Sequence, residues 1–307
     1  MSRPLSSAAA PVTVIVPVLN GEPTIADCLT SLLRTDYPLE QREILVVDNG
    51  STDRTCEIVA RFPVRMVREP RRGLSHARNR GIEESGGRLL AFTDADCMVS
   101  TTWLSELVRG LEEEGGAAVV GEVVAYPPAT PAERYTAMRK PSFHAWTVRR
   151  RRPGILFMNV ALRREVFDRV GLFDPGCGSA EDIDFSWRFL DAGLEVRRRP
   201  QAVVLHRHRT TARELFRQQV GYGRGQALLV RKYPDVLRWG WREEAAAWVD
   251  LGATAVAAAK TLLAAAWTGG RSTADPYPAY DFVRKLGQRV GFVEGALRGR
   301  RGGAGAR

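Results

Sequence analysis

The chain has 307 residues, 44% hydrophobic and 26% charged, a composition that suits a soluble globular protein with a sizeable core and excludes a fibrous or wholly disordered chain. Its net charge of +10 points to an anionic partner, whether nucleic acid, an acidic membrane surface or a phosphate-bearing ligand, without choosing among them. Four scattered cysteines, Cys28, Cys56, Cys97 and Cys177, show no CxxC spacing, so neither a zinc site nor a disulfide framework is indicated and reduced thiols in a cytoplasmic setting are expected.

Residues 1–11, "MSRPLSSAAAP", lack a long apolar run and are expected to be flexible rather than a signal peptide. From Val12 to Val124, short β-branched runs alternate with segments of helical period. "VTVIVP", "EILVVD", "VRMV", "LLAFTD" and "AAVVGEVV" are the strands; "TIADCLTSLLR", "RTCEIVARF", "LSHARNRGIEES" and "TWLSELVRGLEEE" are the helices. The alternation predicts an α/β fold of Rossmann-like type, with a mostly parallel central sheet flanked by helices. Ligands of such sheets bind beyond the carboxyl ends of the strands, which selects Asn20 and Glu22, Asp48 with "NGSTD", and Asp94 with Asp96.

In "LLAFTDADCMVS", Asp94 and Asp96 are separated by a single residue. On a strand, residues i and i+2 share a face, so both carboxylates would aim at one place. Like charges held that close call for a cation or protons between them, and hard oxygens suit Mg²⁺ or Mn²⁺ carrying phosphate. On this pair alone, a solvated loop with two acids is an equal alternative.

Beyond Tyr126 the regularity fails. "YPPATPAERY" predicts a Pro-rich loop, followed by a basic run, Arg149 to Arg152, and a strand-like "ILFMNVAL". The helices "RREVFDRV" and "EDIDFSWRFLDAG" come next, then short strands around "LEVRRR" and "AVVLH". Ser179 precedes Asp182 by three residues, close to a capping box, which sets Glu181, Asp182 and Asp184 in a first helical turn where the dipole alone would account for them. His206 and His208 follow a strand, and period two predicts both on one face. "TARELFRQQVGYGRGQALLVRKY" reads as a helix with a glycine interruption. The Ala-rich stretch 245–267 has the length of a membrane span, but Asp250 and Lys260 lie inside it, so a helix packed on the domain or lying on a membrane surface is expected.

The motifs "VIVPVLN", "VVDNGSTD", "RGLSHARNRGI" and "FTDADC" occur in order at matching spacing, and with them the chain resembles the nucleotide-sugar-dependent glycosyltransferases of family 2, which have the GT-A fold. The resemblance implies a donor-binding half over 12–125 and an acceptor-binding, catalytic-base half of the same domain over 126–235. An Ala-rich helical extension over 236–297 and a disordered basic tail over 298–307 would follow. It implies that Pro17, Asn20 and Glu22 lie against base and ribose, that Asp48 meets the base edge, and that Arg78 lies near the diphosphate. Asp94 and Asp96 match the DxD pair, the first nearer the ribose and the second on the metal, with His206 a candidate third ligand. "ED" at residues 181 and 182 resembles the family's acceptor-side motif, in which Asp182 would be the base and Glu181 the second candidate. Asn49 stands where many relatives carry a second aspartate, which leaves the donor base open.

The implied activity is an inverting, metal-dependent hexosyltransferase-type reaction with Mn²⁺ or Mg²⁺. A UDP-, GDP- or dTDP-sugar would be the donor, and a hydroxyl of a glycan or lipid-linked molecule the acceptor, in cell-surface polysaccharide, glycolipid or related glycoconjugate synthesis. The expected location is the cytoplasm, with peripheral contact at the inner face of the membrane. The alternatives are a haloacid-dehalogenase-type phosphatase using Asp94 as nucleophile and a non-catalytic scaffold. A nucleic-acid partner is not expected, because the arginines are dispersed and no binding motif accompanies them.

Overall fold

Val12–Val18 form β1 with every side chain buried, because an inner strand of a covered sheet meets an apolar layer on each face and its β-branched residues fit both. The computed structural model describes residues 12–113, 115–139, 154–267 and 276–303; the first 11 residues, the basic run Arg149 to Arg152 and the last four residues of the tail lie outside the described residues. After β1 come α1 (Ile25–Leu33), β2 (Arg42–Asp48), α2 (Thr55–Val59), β3 (Arg65–Arg68), α3 (Leu74–Glu84) and β4 (Leu89–Phe92). Then follow β5 (Cys97–Val99), α4 (Trp103–Glu113), β6 (Ala118–Ala125), α5 (Pro131–Met138), β7 (Val160–Arg163) and α6 (Glu165–Val170). The chain continues with α7 (Glu181–Asp191), β8 (Val196–His206), α8 (Ala212–Lys232), α9 (Trp241–Trp267) and α10 (Tyr277–Gly303).

The described residues form two units: the first is built from 12–126, 154–176 and 181–207, the second from 127–139, 177–180 and 208–303. Both predicted halves, 12–125 and 126–235, contribute strands to one sheet, since β7 and β8 hydrogen-bond into the sheet that holds β1. That sheet has eight strands in the order β3-β2-β1-β4-β7-β6-β8-β5. Strands β3, β2, β1 and β4 are parallel, β7 is antiparallel to both its neighbours, β6 and β8 are parallel, and β5 runs antiparallel on β8. The result is a mixed sheet flanked by helices. Val12, Val14 and Val16 join a core with α1 and α4, while Ile15 faces the opposite core with Leu45, Phe92, Phe157 and Phe185.

Several predicted elements differ. "LEVRRR" and "AVVLH" form one strand, β8, which continues through Pro200. The strand in "ILFMNVAL" starts only at Val160. The Pro-rich loop gives way to α5, whose Thr130 and Glu133 form a capping box with Pro131 in the first turn, where its missing N–H costs nothing. Helix α10 continues to Gly303, so residues 298–303 are helical rather than part of an irregular tail.

Within the second unit, α8 is unbroken from Ala212 to Lys232, without the predicted interruption. Two of its glycines permit close approach, Gly225 to Ala180 and Gly223 to α10. A Cβ on Gly223 would fall 2.2 Å from the Gln288 carbonyl oxygen, and one on Gly291 of α10 2.0 Å from that of Val220. Gly223→Ala is expected to cost about 1–3 kcal/mol through overpacking against backbone that cannot give way. The control Gly252→Ala, at a site with nothing within 4 Å of the new Cβ, should be neutral or stabilising. Thermal unfolding of the two variants checks this, and an unchanged midpoint for Gly223→Ala would contradict the close approach.

Candidate active site

The loops after β1 and β2 clasp each other. Asn20, at φ 53°, accepts from the Thr52 amide at 2.8 Å, and its own amide donates to Ser51 Oγ at 2.9 Å. Glu22 accepts from the Arg54 backbone amide at 3.1 Å and from Arg54 Nε at 2.8 Å. In this structure it clasps the two loops together. Pro17 is likewise buried inside β1, paired with Val47, and shapes the strand's exit rather than presenting a surface.

Asp48, at the end of β2, is 1% exposed, accepting from the Ser51 amide at 2.9 Å and Arg68 Nε at 3.3 Å. Burial works to raise its carboxyl, but these hydrogen bonds outweigh it and hold the group below the usual carboxylate range. Asn49 binds the loop before α3: its amide donates to the carbonyls of Glu69 (3.0 Å) and Arg71 (2.7 Å) and accepts from the Gly73 amide at 2.8 Å. An aspartate there could not donate to the two carbonyls, which accounts for asparagine at this position.

The strand β4 ends at Phe92, so Asp94 and Asp96 do not sit on a strand and the period-two argument does not apply. A turn, in which the Cys97 amide bonds the Asp94 carbonyl at 3.0 Å, sends them to different partners. Asp96 Oδ1 lies 3.6 Å from His206 Nε2. The short strand β5, which the sequence reading missed, causes this by pairing Cys97 with His206 across the ladder. Of the two histidines, His206 ends β8 beside Asp96, whereas His208 belongs to the second unit with Glu133 in its electrostatic reach.

Asp94 turns toward α3, with Oδ1 3.4 Å from Arg78 Nη2. Arg78 is 3% exposed and also bonds Glu181 Oε1 through Nη1 at 2.9 Å. Its guanidinium carbon lies 5.3 Å from the ring centre of Phe157 and 5.4 Å from that of Phe173, which fix its position. Arg78 is thus a buried bridge from the exit of β4 to the start of α7. The neighbouring Asn79 holds the approach to α7, accepting from the Phe173 amide at 2.9 Å and donating to its carbonyl at 2.8 Å. The sequence carried a signal for Asn79 in "HARNRG", but not for the two phenylalanines.

At the start of α7 the predicted capping by Ser179 is absent: its hydroxyl donates to the Gly221 carbonyl at 2.6 Å. Asp184 is fully buried and pairs with Arg188 at 3.0 Å, a structural role. Asp182 Oδ1 accepts the Ile183 amide at 2.8 Å. Burial pushes the Asp182 carboxyl up to about 6, although Arg78 pulls it down. Burial likewise pushes Glu181 up to about 7 against Arg78, with the charge of Asp182 adding to the rise. Burial also raises Asp94, opposed by Arg78 and reinforced by Asp96. Three carboxyls of raised proton affinity around one buried arginine make a place where protons can be taken up and released near neutral pH.

Asp96, Cys97 and His206 each offer a ligand atom within 4.8 Å of the others. Burial, with Asp96 and Asp94 beside it, holds the Cys97 thiol well above its ordinary range, so it is a neutral sulfur and a poor ligand. A carboxylate and an imidazole remain; the carboxylate oxygen suits a hard divalent ion such as Mn²⁺, and the imidazole nitrogen favours Mn²⁺ over the more strictly oxygen-bound Mg²⁺.

The model of the family described as glycosyl transferase family 2 matches residues 13–171. Among curated relatives, the glycosyltransferase AglE of Haloferax volcanii is 33% identical over 223 residues, covering 70% of this chain and 72% of the relative. Two other curated relatives are longer, and the chain spans 56% and 48% of their lengths. Among solved structures, the mannosyltransferase PcManGT from Pyrobaculum calidifontis, in complex with GDP-Man and Mn²⁺, is similar at a TM-score of 0.62 and 24% identity, covering 94% of this chain and 88% of that one. S. aureus TarS 1-349 in complex with UDP-GlcNAc is similar at a TM-score of 0.53 and 20% identity, covering 72% of this chain and 66% of that one. At these identities the structural likeness speaks for the fold alone.

Proposed function

The chain belongs to glycosyl transferase family 2 and has the GT-A fold, and from that premise we propose that it is an inverting, metal-dependent transferase acting on a nucleoside-diphosphate sugar and a hydroxyl acceptor. The family sets aside the phosphatase alternative for Asp94. The observation that carries the reading is the Arg78 bridge, which ties Asp94 on the donor side to Glu181, the neighbour of the base. The GDP-Man and UDP-GlcNAc in the two similar structures support the donor class. Four free cysteines fit a reducing compartment, and with it a cytoplasmic enzyme in glycan or glycolipid synthesis.

In this reading Asp48 and the loop behind it receive the base, and Asp96 and His206, with Asp94 beside them, would hold Mn²⁺ or Mg²⁺. When bound, the ion supplies Lewis-acid charge for the leaving diphosphate. Arg78 keeps the buried Glu181 and Asp94 compensated, so that the cleft does not repel the phosphates. Asp182 takes the proton from the acceptor hydroxyl as that oxygen attacks the anomeric carbon from the face opposite the leaving group, which inverts the configuration.

Donor affinity measured by calorimetry with Mn²⁺ and with EDTA tests the metal arm. A loss of at least about tenfold is expected in EDTA, and Asp96→Ala should lose most of the Mn²⁺ dependence. Equal affinity in the two conditions would remove Asp96 and His206 as ligands. Failure to transfer from UDP-, GDP- and dTDP-sugars alike would favour the non-catalytic scaffold.

A further inference from the structure

Helix α9 has two unlike faces. One packs on α10: Asp250 pairs with Lys285 at 2.7 Å, Glu244 pairs with Arg289, and Leu251 and Ala258 are buried. The other is an apolar stripe at helical spacing of three and four residues, in which Trp241, Val249, Val256, Leu263 and Trp267 are respectively 76%, 73%, 56%, 70% and 94% exposed. Ala245, Gly252 and Ala259 lie between them on the same stripe, so it carries no charge along the whole helix, a length of about 40 Å. Among the described residues nothing covers this face.

The charge of the same region indicates what does. Residues 208–307 hold 17 Lys and Arg against 8 Asp and Glu, nearly all of the chain's excess of +10. Arg242 and Lys260 are exposed at the margin of the stripe. Tryptophan stands at both ends of the helix, the residue whose ring has an apolar body and a polar N–H suited to the headgroup boundary. An uncharged stripe with two cations along one margin matches a lipid surface that is apolar below and anionic above. The second face argues against a span. Although Trp241–Ala264 is long and apolar enough by length and mean hydropathy (1.2), its Asp250 is paired with a lysine and its inner side packs on a charged helix.

We propose that α9 is an in-plane membrane-docking helix, which lays the stripe from Trp241 to Trp267 into the interface of an anionic bilayer. This rests on the second unit alone and stands or falls independently of the transferase reading.

The test is co-sedimentation of the full chain with vesicles of phosphatidylcholine alone and of phosphatidylcholine mixed with phosphatidylglycerol, in low and high salt. The chain is expected to pellet with the mixed vesicles in low salt and to be released in high salt. The double variant Val256→Glu, Leu263→Glu should lose about a hundredfold in partitioning while its circular dichroism is unchanged, since two apolar side chains are removed from the lipid. Trp267→Ala, at an exposed helix end, should fold normally and lose severalfold. Binding that is unaffected in both variants overturns the proposal, as does an absence of binding to either vesicle. Retention in high salt with release only by detergent would mean insertion across the bilayer and also overturn it. A wild-type dimer that the double variant abolishes, without vesicle binding, would assign the stripe to a second copy of the chain instead.

Discussion

Asp182→Asn is expected to lower kcat by about 10²–10⁴, the usual worth of a positioned general base, and to leave metal-dependent donor affinity unchanged. Asparagine keeps the size of the side chain and can still accept the Ile183 amide that Asp182 accepts at 2.8 Å, but it cannot take a proton. The wild-type pH profile should carry the same signature. With the Asp182 carboxyl pushed up to about 6, its basic form grows as pH rises through 6, so kcat/KM should climb to a plateau above that point. Stability moves the other way. A carboxyl whose folded value exceeds its unfolded one binds more protons when folded, so its stability cost is absent below about 3.8 and grows as pH rises toward 6. The asparagine variant escapes that cost and should be at least as stable as the wild type at pH 8. Near wild-type turnover with saturating donor would show Asp182 to be merely a helix-terminal acid and move the test to Glu181.

Arg78→Met should be the most destabilising single change at the site, by about 3–5 kcal/mol near neutral pH, because it removes the compensating charge from a buried pair. Arg78 Nε and Glu181 Oε2 are buried without hydrogen-bond partners among the described residues, so the bridge is not one that stability alone would favour. The pH dependence separates this account from loss of packing against Phe157 and Phe173. Without the guanidinium, Glu181 and Asp94 gain proton affinity, the folded variant binds more protons than its unfolded chain, and its stability falls as pH rises. The gap to wild type should therefore be narrow at pH 5 and wide at pH 8. Urea denaturation at the two values decides it, and an equal gap at both would mean that Arg78 acts by packing alone.

The first four strands and the helices between them could be read from the sequence, because short runs of four to seven residues, rich in β-branched residues in β1 and β2 and wholly apolar in β4, alternate with helical periods, and that local pattern is enough to select a covered, largely parallel arrangement. The strand-exit rule likewise selected Asp48, Asp94 and Asp96, and the resemblance added Arg78 and the "ED" pair. The partner of Glu22 was not legible, because a charged residue in a loop looks the same in sequence whatever it pairs with, here an arginine 32 positions away. The glycines of α8 were misread for a related reason. Local propensity counts them as helix breakers, and only the folded chain shows the close approaches they permit, of Gly223 to α10 and of Gly225 to Ala180.

The identity of the site's parts was thus a matter of sequence, and their assembly was a matter of tertiary structure. That two acids stand after β4 is legible locally; that one faces Arg78 and the other His206 is not. The latter depends on a three-residue strand, β5, pairing with β8 more than a hundred positions later, a contact whose stability comes from the sheet and not from any propensity in "CMV". In the same way Arg78 meets Glu181 across 103 positions. Its burial between Phe157 and Phe173, which sets the proton affinities around it, arises only when α3, the loop before β7 and the segment ahead of α7 share one core. Residue types determine which chemistry is available, but pKa values respond to desolvation and to charges brought within a few ångströms, and only the folded chain brings them there.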